Sequence, residues 1–469
     1  MTAVELEKNN LISEVDPSIF RAYDIRGVVG QSLTQASMFA IGQALGSMAI
    51  EAGEHTMVVA RDGRLSGVEL LTALSHGLMA AGCHVIDIGM VPTPILYFAT
   101  HISHARSGVM VTGSHNPSEY NGLKMIIGGK TLAEENIKAL YQRMIRGQFH
   151  QGEARIERWD VVEQYVTSVT ENISLAKKLK VVVDCGNGVS GNIVPGLLRA
   201  LGCDVYELFC DVDGRFPHHH PDPSQLENLA DVMQAVREVQ ADIGFAFDGD
   251  GDRLGVVTSE GDVIWPDRQL MLFAKEILSN QPGAKIIYDV KCSHHLARVI
   301  REAGGEPMMW KTGHSLIKAK LAETQAVLAG EMSGHLFFND RWYGFDDAIY
   351  AAARLLEILA KVEQSSHEVF QAIPNSINTP ELKLPMDDNE KFHFMDKLIE
   401  QVDFHPADIL TIDGLRVNFP DGWGLIRPSN TTPCLVLRFE AENIAILENI
   451  QALFRDALLK IKSDLVLPF

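Results

Sequence analysis

One succession of residues recurs three times along this chain, and the repeat limits the fold more than any single motif does. Residues 57–60 are a short apolar run that reads as a buried strand; it ends in Arg61-Asp62-Gly63-Arg64 and is followed by a helical pattern over 68–81 and a second strand over 84–88. The run 180–184 leads likewise into a helical 194–201 and a strand at 204–208, and the run 285–289 leads into a helical 294–303. Each unit then has a further apolar strand ending in a polar loop, at Ser114 in the first, at three aspartates in the second and at Glu331 in the third. Strands alternating with helices build α/β layers, and open sheets of this kind bind ligands at strand ends. A chain of 469 residues is too long for one core. Three similar α/β domains with mixed sheets are therefore expected, each sending one loop to a shared cleft.

After about residue 373 the character changes. Short apolar segments such as 435–439 and a helical 443–460 read as a smaller C-terminal α+β domain. The expected domains are 1–159, 160–262, 263–374 and 375–469, carrying in turn the serine loop, the aspartate loop, the Glu331 loop and a loop around Arg427.

In the first loop, the apolar run from Gly108 stops at Thr112-Gly113 and presents Ser114 and His115, while Pro117 suits the first turn of a helix. A helix N-terminus there would stabilise a phosphate carried on the serine oxygen, although a serine in a glycine-flanked turn is more often a turn residue alone. In the second loop, Asp248, Asp250 and Asp252 alternate with glycines between apolar runs. Three acids so close would repel one another unless a hard cation joined them. An EF-hand is excluded, because Arg253 stands where that loop needs glycine and Ser259 where it needs glutamate. A seryl phosphate beside a divalent cation is the core of a phosphoryl-transfer site. A Walker-type nucleotide loop at Gly128-Gly129-Lys130-Thr131 fails, since Lys124 holds the position of its first glycine. Near the C-terminus, Arg427-Pro428-Ser429-Asn430-Thr431-Thr432-Pro433 offers a guanidinium, hydroxyls and amide donors that suit a phosphate dianion.

Together these stretches resemble the α-D-phosphohexomutase superfamily, and within it the bacterial phosphomannomutase/phosphoglucomutase group. Thr112 to Pro117 resembles its phosphoserine loop, Asp248 to Arg253 its magnesium loop, Gly330-Glu331-Met332-Ser333-Gly334-His335 its sugar-binding loop, and Arg427 to Pro433 its phosphate-binding loop. The four stand in the family's order and span nearly the whole chain. The resemblance implies Ser114 as phosphate carrier, with Lys124, His335, Arg26 and His115 as further catalytic candidates. Either His335 or Lys124 would move the hydroxyl proton, with Arg26 assisting. It implies Mg2+ at Ser114, Asp248, Asp250 and Asp252. Substrate contacts are implied for Tyr23, Arg253, Lys291, His314, Glu331, Met332, Ser333, Arg427, Ser429, Asn430 and Thr431. The implied reaction interconverts hexose 1-phosphate and hexose 6-phosphate, of mannose and glucose, through a phosphoserine enzyme and a hexose 1,6-bisphosphate intermediate. A phosphoglucosamine mutase, a phosphoserine-dependent phosphatase and an idle sugar-phosphate binding protein are the alternatives; intact Ser114 and aspartates argue against the last.

The charge balance poses a condition on this reading. With 41 basic and 61 acidic residues the net charge is −20, which disfavours nucleic acid and anionic membrane as partners. Sugar phosphates can be held only if basic residues concentrate in the cleft. The six cysteines show no metal spacing and read as reduced thiols of a cytoplasmic protein. No run reaches the length of a membrane span, and residues 1–16 lack the apolar core of a signal peptide and read as a leader. A monomer is expected.

Overall fold

Each of the three recurring units builds a mixed sheet on one plan. In the computed structural model, which describes residues 15–430 and 432–469, strand Thr56–Arg61 lies parallel to both His84–Met90 and Gly108–Val111, and Tyr120–Ile127 returns antiparallel beside the last. Lys180–Asp184 pairs in the same way with Asp204–Leu208 and Ile243–Phe247, and Leu254–Thr258 returns. Lys285–Asp289 pairs with Glu306–Trp310 and Leu328–Gly330, and Leu336–Phe338 returns. The three candidate loops therefore occupy one topological position: the link from the carboxyl end of a buried parallel strand to its antiparallel neighbour. The strands feeding them, Gly108–Val111, Ile243–Phe247 and Leu328–Gly330, are buried throughout, which is why they appear as unbroken apolar runs. The second sheet also takes in Val263–Ile264 through the pairing of Val256 with Ile264, past the expected limit at 262.

One expectation fails. No helix follows Ser114, so no helix N-terminus lies beneath it. The amides of Asn116 and Tyr120 close turns onto the carbonyls of Gly113 and Pro117, and the chain then enters Tyr120–Ile127, where Ile25–Val28 pairs along its other edge. Pairing on both edges satisfies the backbone groups a helix would have satisfied internally, and Pro117 serves as a turn residue. Helix N-termini reach this region from elsewhere: Thr93–Ile102 of the first unit, at Asp250, and His314–Thr324 of the third.

One side of each of the first three sheets shares a continuous core, running through Val58, Phe98, Phe245, Phe273 and Leu356, while their other sides pack separate clusters around Leu45, Val232 and Ile317. Helix Ala348–Ala360 is buried along its whole length within the shared core. The C-terminal unit is a six-stranded antiparallel sheet backed by Asp388–Gln401 and Ile444–Ile461, with a separate core that includes Leu398, Leu437 and Phe454. It meets the third unit through an apolar cluster of Val290, Trp423 and Leu425, with Met309 and Ile412 against it, and through polar contacts to residues 290–293. Arg416 Nη1 donates to the carbonyls of Val290 (2.5 Å) and Cys292 (2.8 Å), Arg438 donates to that of Lys291, and Ser293 donates to Glu440 (2.6 Å). Its main core is separate from that of the other three units, and the seam that joins them mixes apolar and polar contacts. Among the described residues no helix is long and apolar enough to cross a membrane. Residues 1–14 of the expected leader lie outside the described residues.

Candidate active site

Ser114 is buried and held with a left-handed backbone, φ +49°. Its Oγ donates to Asp248 Oδ2 at 2.8 Å, which joins the serine loop to the aspartate loop. The two backbones also touch: a Cβ on Gly249 would fall 2.3 Å from the Ser114 carbonyl oxygen, so only glycine fits there. His115 Nδ1 lies 3.3 Å from the serine oxygen. The loop is held from behind by two residues that sequence reasoning passed over as the end of a strand. Arg64, wholly buried, donates to the carbonyls of Ser114, Asn116, Pro117 and Tyr120. Asp62 accepts from Thr112 Oγ1 (2.7 Å) and the Gly113 amide (3.1 Å), and Thr112 in turn accepts from the Ser114 amide (2.8 Å). Gly113 leaves room for the guanidinium, which a Cβ would meet at 2.3 Å. Arg64→Met strands four carbonyls and Asp62 at once, so a loss of about 3–5 kcal/mol in stability is expected, read as a lower denaturant midpoint.

Asp248, Asp250 and Asp252 are fully buried, and their ligand oxygens lie within 4.8 Å of one another. Among the described residues Asp250 Oδ1 has no hydrogen-bond partner, and Asp252 Oδ1 meets His335 Nε2 at 3.4 Å. Asp248 Oδ1 accepts from the amides of Asp252 and Arg253. Burial and the two neighbouring carboxylates push the Asp248 carboxyl well above the usual range, the mark of a site short of positive charge. An all-oxygen donor set with unused lone pairs fits a hard divalent cation such as magnesium. Lys124 reaches into the same cluster, 2.7 Å from Asp250 Oδ2 and in contact with Asp252. Against the cost of burial, those carboxylates hold its ammonium above the ordinary lysine range. Thr93 fixes Asp250 from the first domain, through its amide to the Asp250 carbonyl (2.8 Å) and its Oγ1 to Oδ2 (2.5 Å).

The third loop closes on the second by an isolated backbone bridge between Arg253 and His335. His335 lies 3.4 Å from Asp252 Oδ1, 3.1 Å from Glu331 Oε2 and 2.8 Å from Ser333 Oγ. Burial opposes its charge, but Asp252 and Glu331 raise the imidazole to about 9. Glu331 Oε1 accepts from the Gly313 amide at 2.5 Å, just before the helix that begins at His314. Tyr23 packs edge-on against His314, and burial beside Asp24 and Glu331 pushes its phenol up to about 12. Arg26 pairs with Asp24 at 2.7 Å and reaches Asn116 of the serine loop at 3.4 Å. Arg253 Nε stands 4.0 Å from Asp248 Oδ2.

Farther along, Lys291 pairs with Glu381 at 2.5 Å, and the Met332 amide meets Asp289 at 3.4 Å. Arg427 stands at the end of strand Gly422–Pro428, so the expected loop begins with two strand residues. Its Nε donates to Asp413 (2.9 Å), which also receives the Thr312 amide (3.0 Å), while its buried Nη2 has no hydrogen-bond partner among the described residues. Lys391 braces the turn behind it through the carbonyls of Ser429 (2.6 Å) and Thr432 (3.0 Å). Ser429 is buried and Asn430 half-buried; Thr431 lies outside the described residues. Basic side chains thus gather around the loops of an acidic chain.

Four family profiles match in order: phosphoglucomutase/phosphomannomutase alpha/beta/alpha domain I over residues 17–151, domain II over 163–261, domain III over 265–377, and the C-terminal domain over 381–457. The chain belongs to the phosphoglucomutase/phosphomannomutase family. It is similar to a phosphomannomutase/phosphoglucomutase of Pseudomonas putida, with 54% identity over 452 residues, 96% of this chain and 98% of that protein. A phosphoglucomutase of Neisseria meningitidis is 49% identical over 461 residues, 97% of this chain and 100% of that protein. A crystal structure of a phosphoglucomutase/phosphomannomutase family protein from Burkholderia thailandensis matches with a TM-score of 0.93 at 54% identity, covering 97% of this chain and 100% of that one. In this family member the serine, aspartate and Glu331 loops meet at one centre, and the Arg427 strand faces Tyr23 and the Thr312 loop.

Proposed function

We propose that Ser114 is the phosphoryl carrier of a hexose-phosphate mutase. The observation that carries the reading is its buried Oγ, 2.8 Å from Asp248 at the edge of the carboxylate cluster. The chain is a phosphohexomutase interconverting hexose 1-phosphates and 6-phosphates. The glucosamine-phosphate and phosphatase alternatives are not favoured, since relatives at 48–54% identity are named phosphomannomutase/phosphoglucomutase or phosphoglucomutase.

In the proposed course, phosphoserine 114 gives its phosphoryl group to the free hydroxyl of the bound hexose phosphate. The O–P bond to serine breaks as the bond to the sugar oxygen forms, giving a 1,6-bisphosphate. The bisphosphate then turns, and its other phosphoryl group returns to Ser114. Magnesium would be held by Asp248, Asp250, Asp252 and the seryl phosphate, and supplies positive charge to the phosphoryl oxygens. Arg253, 4.0 Å from Asp248, would add charge from the side. His335 Nε2 and Lys124 Nζ are the groups at this centre that can hold the hydroxyl proton, with Arg26 and His115 close by. Glu331 and Ser333 present oxygens suited to sugar hydroxyls, and Tyr23, Met332, Lys291 and His314 line the space between the loops. Ser429, Asn430, Thr431 and Arg427 would hold the phosphate that is not reacting.

Turning makes one demand on that anchor: it must grip the 6-phosphate in one half-reaction and the 1-phosphate in the other. A guanidinium reads phosphate and not its carbon attachment, and Arg427 Nη2, without a hydrogen-bond partner among the described residues, can serve it. Arg427→Ala is therefore expected to lower kcat/KM from both sides of the equilibrium by similar factors, about 1.5–3 kcal/mol. A defect confined to 6-phosphate substrates would rule out a shared anchor. The separate core of the C-terminal domain supports its opening while the bisphosphate turns. We further propose domain limits near 159, 264 and 374, a monomer and a cytoplasmic setting, the last supported by six unpaired cysteines. Incubation with magnesium and mannose 1-phosphate, glucose 1-phosphate or glucosamine 6-phosphate tests the assignment. Isomer should form from the first two, and release of free phosphate alone would refute a mutase.

A further inference from the structure

Lys318 and Asp346 have no part in the reaction described above, yet both stand against His314. His314 opens helix His314–Thr324 and Lys318 follows one turn later, so the two side chains share a face. The Lys318 ammonium lies 2.7 Å from Asp346 Oδ1, 3.3 Å from His314 Nδ1 and 4.0 Å from the centroid of the Tyr97 ring. An ammonium has donors only, so at this contact Nδ1 must be the acceptor. An imidazole that accepts at Nδ1 carries its proton on Nε2. The opposite arrangement, Nδ1–H donating to Asp346 Oδ2, spans a longer 3.5 Å. His314 Nε2 is buried and has no hydrogen-bond partner among the described residues, and its ring lies between Tyr23, edge-on at 5.3 Å, and His335, stacked at 5.5 Å.

The groups facing the ring are Lys318 and Asp346 behind it, Lys124 and Asp252 across the centre, and His335 and Tyr23 on its two sides. Burial, then the charges of Lys318, Lys124 and His335, hold the imidazole well below its ordinary range. The helix N-terminus beneath it acts in the same direction. Tyr97 sits on helix Thr93–Ile102 of the first domain, the helix whose Thr93 holds Asp250. Lys318 is therefore fixed from both domains.

We propose that Lys318 and Asp346 are a positioning pair that locks His314 as its neutral Nε2–H tautomer, so that His314 donates a hydrogen bond to an oxygen of the bound sugar phosphate and takes no proton from it. Lys318 supplies the N–H that Nδ1 accepts, Asp346 aims that ammonium and balances its charge, and the Tyr97 ring closes its remaining side. The identity of the ligand rests on the proposed function; the tautomer is a property of the free protein.

The test uses substrate-free protein isotope-labelled at the imidazole nitrogens, with His314→Gln to identify the His314 signals in long-range proton–nitrogen spectra. A bare Nδ1 and a protonated Nε2, unchanged from mildly acidic to mildly alkaline pH, are expected. Protonation at Nδ1, or a charged ring at neutral pH, overturns the proposal whatever the enzyme's substrate. The double variant Lys318→Met/Asp346→Asn removes both charges together and should lose the single-tautomer pattern, with kcat/KM for hexose 1-phosphate falling about 10-fold. A folded double variant that keeps the wild-type tautomer and wild-type kcat/KM also overturns it. If the wild-type spectra are as expected but no sugar phosphate is isomerised, the functional reading falls and the tautomer lock stands.

Discussion

Ser114→Ala is expected to lower kcat by about 10,000-fold or more, the scale seen when a covalent nucleophile is removed, while the affinity for hexose phosphate stays within about 3-fold of the parent. The two effects separate because Ser114 supplies the oxygen that is phosphorylated, whereas the substrate is to be gripped by groups on the other loops. The variant should fold, since the turn is held by Arg64 and Asp62 through backbone groups and Thr112, none of which involve the serine side chain. The side chain's hydrogen bond to Asp248 is lost with the oxygen. Turnover near the parent rate in a folded Ser114→Ala protein would end the covalent reading.

Asp250→Asn is expected to cost about 100- to 1,000-fold in kcat/KM, and excess magnesium should recover part of it. In the parent, Asp250 Oδ2 accepts from Lys124 and Thr93 while Oδ1 has no hydrogen-bond partner among the described residues. Asparagine keeps the shape but removes a ligand charge, and its amide hydrogens face donors if the group is turned the wrong way. Cation affinity falls, and mass action at high magnesium offsets the loss. The parent should lose activity to a chelator and regain it with magnesium. An enzyme indifferent to chelation would contradict a metal at these aspartates.

The architecture was legible because the strands beneath the three loops are buried on both faces and so must be written as apolar runs, each bounded by glycine and polar residues. The candidate loops could be found for the same reason, since polar residues at the end of such a run have nowhere else to go. The backbone after Ser114 was not legible. Pro117 is compatible with both a helix start and a turn, and the choice is made by Ile25–Val28, which lies far back in the chain and pairs with Tyr120–Ile127. Arg64 gave no signal of its own, because its task exists only once the serine loop has folded over it. Gly113 and Gly249 could have hinted that two segments approach closely there, but not which ones. The pairing of His314 with Lys318 was available from their spacing of four on a helix. Asp346 and Thr93 were not, since both reach the site through tertiary packing alone.

The most direct test of the carrier role follows the phosphoryl group itself. Enzyme carrying radiolabelled phosphate at Ser114 is mixed with excess unlabelled hexose 1-phosphate and quenched over the first turnovers. The label is expected to leave the protein, appear first in hexose 1,6-bisphosphate and then in hexose 6-phosphate, with Ser114 rephosphorylated by unlabelled phosphate and no matching release of inorganic phosphate. Label that stays on Ser114 through many turnovers, or departs only as inorganic phosphate, would contradict it.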